Sequence, residues 1–367
     1  MESQNRYLEN PFFSVCVPQH NRTSFLIEAC KSLAQQTFRD FEVCISDDCS
    51  TDGKEGELIA YLEQSGLSYI YKQQEKNLRY DGNLRASISL SSGKYCFLLG
   101  NDDALATPET LQQIHDEIAR RQNVGVVITN FADFTTGQKV LRIQQNGILG
   151  EGPLAAANHY RDVSFVSGVM LDGERSRALF TDKWDGSEMY QMYLTARILA
   201  EGSALLGLEQ IAIRKDIQIP DEAIDSYARK PRLDPCPITE RFLTMHYLGR
   251  LVMDAINPFV QPEMRQTIAV KVLQQILVFT FPFWIFEYRR VQSWNYAAGL
   301  CLGMRLRHSA EGIELSRWRK LRLTVLHGLV SVVGLSVPLF VFAGASQKLY
   351  AFAKSAWGRR LVGARAG

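Results

Sequence analysis

The first 135 residues alternate between two hydrophobic periods. Short apolar runs rich in β-branched and aromatic residues occupy 12–17, 41–46, 68–72, 95–99 and 124–131. Between them, stretches with helical spacing cover about 24–36, 53–65, 83–91 and 108–121. Such alternation with short polar joints predicts an α/β fold, a mostly parallel sheet with helices on both faces. Thr51-Asp52-Gly53 marks the start of the second helix, and Thr107-Pro108-Glu109 puts proline at a first helical position.

Residues 136–235 read as loop-rich, with a helix at 188–201. From about 238 the pattern turns helical, broken by Pro258, Pro262, Pro282 and Pro338. This predicts an α/β domain over 1–235 and a helical, basic region over 236–367. Two apolar segments stand out in the latter. Residues 272–286 carry no charge but are short for a membrane span, whereas 323–347 lack Asp, Glu, Lys and Arg over a length that crosses a bilayer core. Arg317, Arg319, Lys320 and Arg322 precede 323–347, and Lys348, Lys354, Arg359 and Arg360 follow it. Basic flanks at both ends favour a segment that returns to the side it left, turned at Pro338 and lying in or re-entering the membrane. A buried core helix is the other reading.

Charge sharpens this picture. The net charge is +2, yet from Arg289 onward Lys and Arg are opposed only by Glu311 and Glu314, which leaves the preceding body acidic. A basic tail points to an anionic partner, lipid or nucleic acid. Its cations flank apolar segments instead of forming a continuous stripe, which favours lipid and excludes nucleic acid as the expected partner. Seven cysteines without metal-type spacing predict buried thiols in a reducing compartment. The polar stretch 1–11 has no signal-peptide core, so the body is expected in the cytoplasm.

In open α/β sheets ligands bind beyond the carboxyl ends of the strands. Three predicted strand ends carry polar residues there: Pro18-Gln19-His20-Asn21-Arg22, then Asp47-Asp48-Cys49-Ser50-Thr51-Asp52-Gly53, then Gly100-Asn101-Asp102-Asp103. Each alone reads as a turn or cap. Together, at one edge, they suit a nucleoside diphosphate.

The stretches 14–22, 43–53 and 93–103 resemble the N-terminal half of the family 2 glycosyltransferases, a likeness covering about 11–135 and continuing weakly to 215. With Tyr80-Asp81-Gly82-Asn83 added, the pattern is similar to the subgroup containing abequosyltransferase-like enzymes of O-antigen assembly. The resemblance implies a GT-A fold and transfer of one sugar, with inversion, from a nucleotide-sugar donor to a lipid-linked saccharide acceptor. With the basic flanks and the absent signal-peptide core, the expected place of work is the cytoplasmic face of the inner membrane. The resemblance places Pro18, Gln19, Asp47, Asp48, Asn83 and Asn101 around the donor. Asp102 and Asp103 stand at the metal position, holding Mg²⁺ or Mn²⁺ against the diphosphate. A hard cation prefers such carboxylate and phosphate oxygens.

Two departures from the family pattern stand out. Many members read Asp-x-Asp-Asp where this chain has Gly100-Asn101-Asp102-Asp103. The acidic pair that usually supplies the catalytic base falls at Tyr190-Gln191, counted back from Arg197. Asp185 and Glu188 are the nearest carboxylates, with Glu188 as a helix-start residue the competing reading. A catalytically silent binding or scaffold subunit is the alternative that these departures leave open.

Overall fold

The computed structural model describes residues 2–5, 8–220, 222, 243–291, 293–342 and 344. The chain divides into two compact units, Met1–Ala155 with His159–Asp225, and Ala156–Asn158 with Ser226–Gly367. The predicted boundary at 235/236 lies outside the described residues.

The first unit begins with β1 (Glu2–Asn5), β2 (Phe13–Gln19), α1 (Thr23–Ala34), β3 (Phe41–Asp47), α2 (Glu55–Ser65) and β4 (Tyr69–Gln73). It continues with α3 (Arg79–Ser89), β5 (Tyr95–Leu98), β6 (Ala104–Leu105), α4 (Thr110–Ala119), β7 (Val124–Asp133), β8 (Lys139–Val140) and β9 (Gly147–Glu151). After α5 (Gly152–His159), whose middle residues group with the second unit, come β10 (Val169–Asp172), α6 (Gly173–Ala178), α7 (Tyr190–Ala200) and β11 (Ala204–Lys215). The sheet runs β1-β4-β3-β2-β5-β10-β7-β11-β6, with β8 beside β7 and β9 beside β11.

Every apolar run read as a strand is one. Their continuous hydrophobicity reflects burial on both faces: each residue of β3 is buried, with α3 packed on β2 and β3. The expectation of a mostly parallel sheet needs correcting. Parallel pairing joins β4, β3, β2 and β5, and also β7 with β11, but β10 enters antiparallel between β5 and β7. Antiparallel pairs also join β1 to β4, β6 and β9 to β11, and β8 to β7, so the sheet is mixed. Asp52, just before α2 as the sequence suggests, also reaches α1. Its carboxylate accepts the Thr23 amide at 2.9 Å at the first turn of α1 and, on its other oxygen, the Lys54 amide at 3.4 Å at the start of α2.

The second unit comprises α8 (Leu243–Ile256), α9 (Pro262–Gln275), α10 (Phe281–Val291), α11 (Trp294–Gly303), α12 (Leu306–Ser309) and α13 (Arg317–Ser336). A π-helical turn at Ile276–Thr280 joins α9 to α10. The resulting Pro262–Arg290 helix is the one element among the described residues long and apolar enough, by length and composition, to cross a membrane. The segment 272–286 is thus the centre of a longer helix, and 56% of that helix's apolar window is buried inside the protein. The predicted 323–347 segment is divided instead. Most of it lies in α13, which stops at Ser336 before Pro338; 343 and 345–347 fall outside the described residues.

Candidate active site

Parallel pairing aligns the ends of three strands. Gln19 of β2 sits opposite Asp47 of β3, and Cys16 of β2 opposite Leu98 of β5. The three polar loops therefore leave the same sheet edge, and side chains knit them together. Gln19, fully buried, accepts the Asn101 side-chain amide at 2.7 Å and donates to the Asn21 carbonyl at 2.6 Å. Its backbone carbonyl accepts from the Asp48 amide at 2.8 Å and from Asn83 Nδ2 at 2.9 Å. Asn21 closes the circle, its amide donating to Ser50 Oγ at 2.7 Å and its side-chain oxygen accepting the Thr51 amide at 2.7 Å.

Within this cradle the predicted residues divide by exposure. Pro18 is half-buried, while Asp47 and Asp48 are buried to about 2% exposure. Both Asp47 oxygens are engaged, one by Tyr71 OH at 2.8 Å and the other by the Ser50 amide at 2.8 Å. Asp48 accepts the Leu78 amide, and burial raises its carboxyl above the ordinary range. Asn83 leaves its Oδ1 buried without a partner among the described residues, an acceptor in need of a donor.

The two carboxylates after β5 differ sharply. Asp103 is 2% exposed, receives the Ser167 hydroxyl on one oxygen and accepts the Asp216 amide on the other at 3.1 Å. Burial, then the neighbouring Asp102, push its carboxyl up to about 8. Asp102 keeps partial exposure and is ion-paired with Arg22. Arg22 reaches it from a loop in which both Asn21 and Arg22 adopt positive φ, 51° and 59°, with the guanidinium 5.0 Å from the Phe25 ring centre. Gly100 sits in a tight space. A Cβ there would meet Asp103 Oδ2 at 3.0 Å, Asp102 Oδ1 at 3.2 Å and Ser167 Oγ at 3.2 Å. The family's leading aspartate is absent from a position already crowded by two carboxylates.

Among the described residues no cluster of three or more His, Cys, Asp or Glu is arranged to hold a metal. The donor set still suits a divalent cation that takes most of its ligands from phosphates. Asp102 is a partly exposed carboxylate at the strand end, and the Arg22 guanidinium paired with it stands in for positive charge at that place.

The two candidate bases also part company. Asp185 is held by Arg85 through two contacts of 2.6 Å, so both its oxygens are committed to a bidentate pair. Glu188 is exposed, at φ 59°, immediately before α7, and its carboxylate has no partner among the described residues. Its backbone amide donates to Asp81 Oδ2 at 2.8 Å, while the Tyr190 amide donates to Asp81 Oδ1 at 3.0 Å. Asp81 is 1% exposed, and burial raises its carboxyl. Helix α3 thus holds the Glu188 loop through Asp81 and the donor cradle through Asn83, two residues apart.

Sequence reading assigned no role to Asp81, Arg22, Ser167 or Asp216. The first two lie inside quoted motifs; the last two sit in unremarkable loops. Arg142 was missed as well. Nearly fully buried, it donates to the carbonyls of Thr129 (2.9 Å), Phe165 (2.6 Å) and Ser167 (2.8 Å), fixing the loop that delivers Ser167 to Asp103.

Comparison with known proteins agrees with this geometry. Residues 14–171 match the model of the glycosyl transferase family 2. The chain is 42% identical over 95 residues to the abequosyltransferase RfbV of Salmonella typhimurium, a match covering 25% of this chain and 28% of that protein. It is 33% identical over 97 residues to the GalNAc(5)-diNAcBac-PP-undecaprenol beta-1,3-glucosyltransferase of Campylobacter jejuni, covering 26% of this chain and 31% of that one. The chain thus spans under a third of the length of either relative. In fold it resembles S. aureus TarS 1–349 in complex with UDP, with a TM-score of 0.57 at 16% identity over 88% of this chain and 90% of that one.

Proposed function

We propose that this chain, which matches the glycosyl transferase family 2 model over residues 14–171 and shares its fold with TarS 1–349, transfers a single sugar from a nucleotide-diphosphate-sugar donor to a hydroxyl of a polyprenyl-diphosphate-linked saccharide. The setting is assembly of O-antigen or another surface polysaccharide at the cytoplasmic face of the plasma membrane. The observation that carries this reading is the cradle of Gln19, Asn21, Ser50 and Asn101, which locks three strand-end loops together and leaves Asp102 as its partly exposed carboxylate. The Campylobacter relative's name, a PP-undecaprenol glucosyltransferase, supports the lipid-linked acceptor.

Pro18, Gln19, Asp47, Asp48, Asn83 and Asn101 shape the donor pocket, and the unpartnered Asn83 oxygen accepts a donor hydroxyl or amine. Asp102 would hold Mg²⁺ or Mn²⁺ beside Asp103, whose bonds from Ser167 and the Asp216 amide tie down the loop that carries both. The cation, when bound with the donor, neutralises charge on the departing diphosphate. Glu188 takes the proton from the acceptor hydroxyl as its oxygen attacks the anomeric carbon, the nucleoside diphosphate leaves from the opposite face, and the configuration inverts. Asp185, clamped by Arg85, instead stiffens the loop that presents Glu188.

The test is release of nucleoside diphosphate from a panel of nucleotide sugars, with Mn²⁺ and an undecaprenyl-diphosphate-linked saccharide. Glu188→Gln is expected to lower turnover about 10²-fold or more with donor affinity unchanged. Full activity of Glu188→Gln removes it as the base, and absence of turnover with every donor favours a silent scaffold.

A further inference from the structure

Helix α13 shows two features that its own stability does not require. Trp318, Leu321, Val325, Leu329 and Val332 follow one another at steps of three and four residues, and are 76%, 52%, 53%, 61% and 64% exposed. They form one continuous stripe, while Leu323 and His327 on the other side are buried. Scattered exposed apolar residues are ordinary, but a stripe along a whole helix is not.

The second feature is charge. Arg317, Arg319 and Lys320 occupy the first turn of α13, with Arg322 just beyond, and that turn holds no acidic residue. A helix N-terminus carries partial positive charge, so cations there oppose the helix dipole. No Asp or Glu lies in the helix to offset them, and none of the four has an ion pair among the described residues. A cationic cluster in the wrong turn, at the end of an apolar stripe that starts with tryptophan, calls for an anionic and apolar partner outside the protein.

We propose that the exposed face of α13 lies in the surface of an anionic lipid bilayer, with Trp318, Leu321, Val325, Leu329 and Val332 below the headgroups and Arg317, Lys320 and Arg322 among the lipid phosphates. A helix with this layout rests in the interface plane instead of crossing it. This deepens the reading that the enzyme works at a membrane, on which it rests, by assigning the contact to one face of one helix. Tryptophan suits the boundary just below the headgroups, and each cation near an anionic surface strengthens association by about fivefold.

The full chain is mixed with vesicles of phosphatidylglycerol and phosphatidylethanolamine, or of phosphatidylcholine alone, and sedimented. Donor turnover is followed in the same samples with a water-soluble acceptor. Wild type is expected to pellet with the anionic vesicles and at least tenfold less with phosphatidylcholine. Leu321→Asp/Val325→Asp/Leu329→Asp should abolish pelleting, and Arg317→Gln/Lys320→Gln/Arg322→Gln should remove the preference for anionic lipid. Both variants should keep wild-type turnover, because all six side chains lie outside the candidate active site. Pelleting of the triple-Asp variant like wild type overturns the proposal. So does a triple-Asp variant that converts a soluble oligomer to monomer when wild type ignores vesicles, since the stripe would then join copies of the chain. Lost turnover with vesicle binding intact counts against the transferase reading alone.

Discussion

Asp81 offers the sharpest test of how the fold serves the chemistry. It is buried on α3, and its two oxygens accept the amides of Glu188 at 2.8 Å and Tyr190 at 3.0 Å. Asp81→Asn keeps size and shape but turns an N–H₂ toward one of those amides. One hydrogen bond to a charged group is lost, worth about 1.5–3 kcal/mol, and the other becomes neutral. Relief of the buried carboxylate's desolvation returns part of this, leaving about 1–2 kcal/mol of lost restraint on the loop. That loop holds Glu188 at φ 59°, a conformation that costs a non-glycine residue and needs external support. Displacement of a reacting group by about 1 Å costs on the order of 10²-fold in rate. Turnover at saturating donor should fall about 10–100-fold, with donor affinity within about twofold because Asn83 and Gln19 are untouched. Steady-state kinetics beside direct donor titration separates the two quantities. Turnover within twofold of wild type would refute the positioning role, and equal losses in turnover and donor affinity would show that Asp81 only holds α3 in place.

Two further predictions concern other parts of the molecule. Restoring the family aspartate by Gly100→Asp should lower donor turnover at least tenfold, since its Cβ would enter a space bounded by Asp102, Asp103 and Ser167 at 3.0–3.2 Å and bring a third carboxyl group beside two others; normal turnover with tighter Mn²⁺ binding would contradict this. His246, buried near Arg250 and His308, is pushed down to about 4, first by burial and then by those charges. The fold therefore favours the neutral ring. Its contribution is fully present above the unfolded value near 6.5 and is lost as pH falls toward 4, by at most about 3 kcal/mol. Thermal unfolding of His246→Gln should be less sensitive to acid over that window than wild type, and identical slopes would remove His246 as a cause.

Much of the first unit was legible because its strands are short, continuous and apolar. The runs at 41–46 and 95–99 could be read without knowing their neighbours. Strand β10 escaped because only Val169–Asp172 pair, too few to show a period. Strand β11 escaped because its pairing with β7 shifts register at Ala204/Leu205, Gly207/Ile211 and Ile211/Ile213, which breaks any alternation. The three strand-end motifs could be found because each is local. The Arg22–Asp102 pair joins residues 80 positions apart, and Ser167 reaches Asp103 from 64 positions away, so neither has a spacing to read. Exposure on α13 was hidden for a related reason: a run of apolar letters looks the same whether the rest of the chain covers it or not.

The central claim is that Asp102 helps to bind a cation only when a nucleoside diphosphate completes the shell. Calorimetric titration of Mn²⁺ into the full chain, with and without UDP, GDP, CDP and TDP, addresses it directly. One diphosphate should tighten Mn²⁺ binding to wild type at least tenfold, and Asp102→Asn should erase that gain while the protein stays folded. Equal, diphosphate-dependent Mn²⁺ binding by wild type and Asp102→Asn would contradict the account.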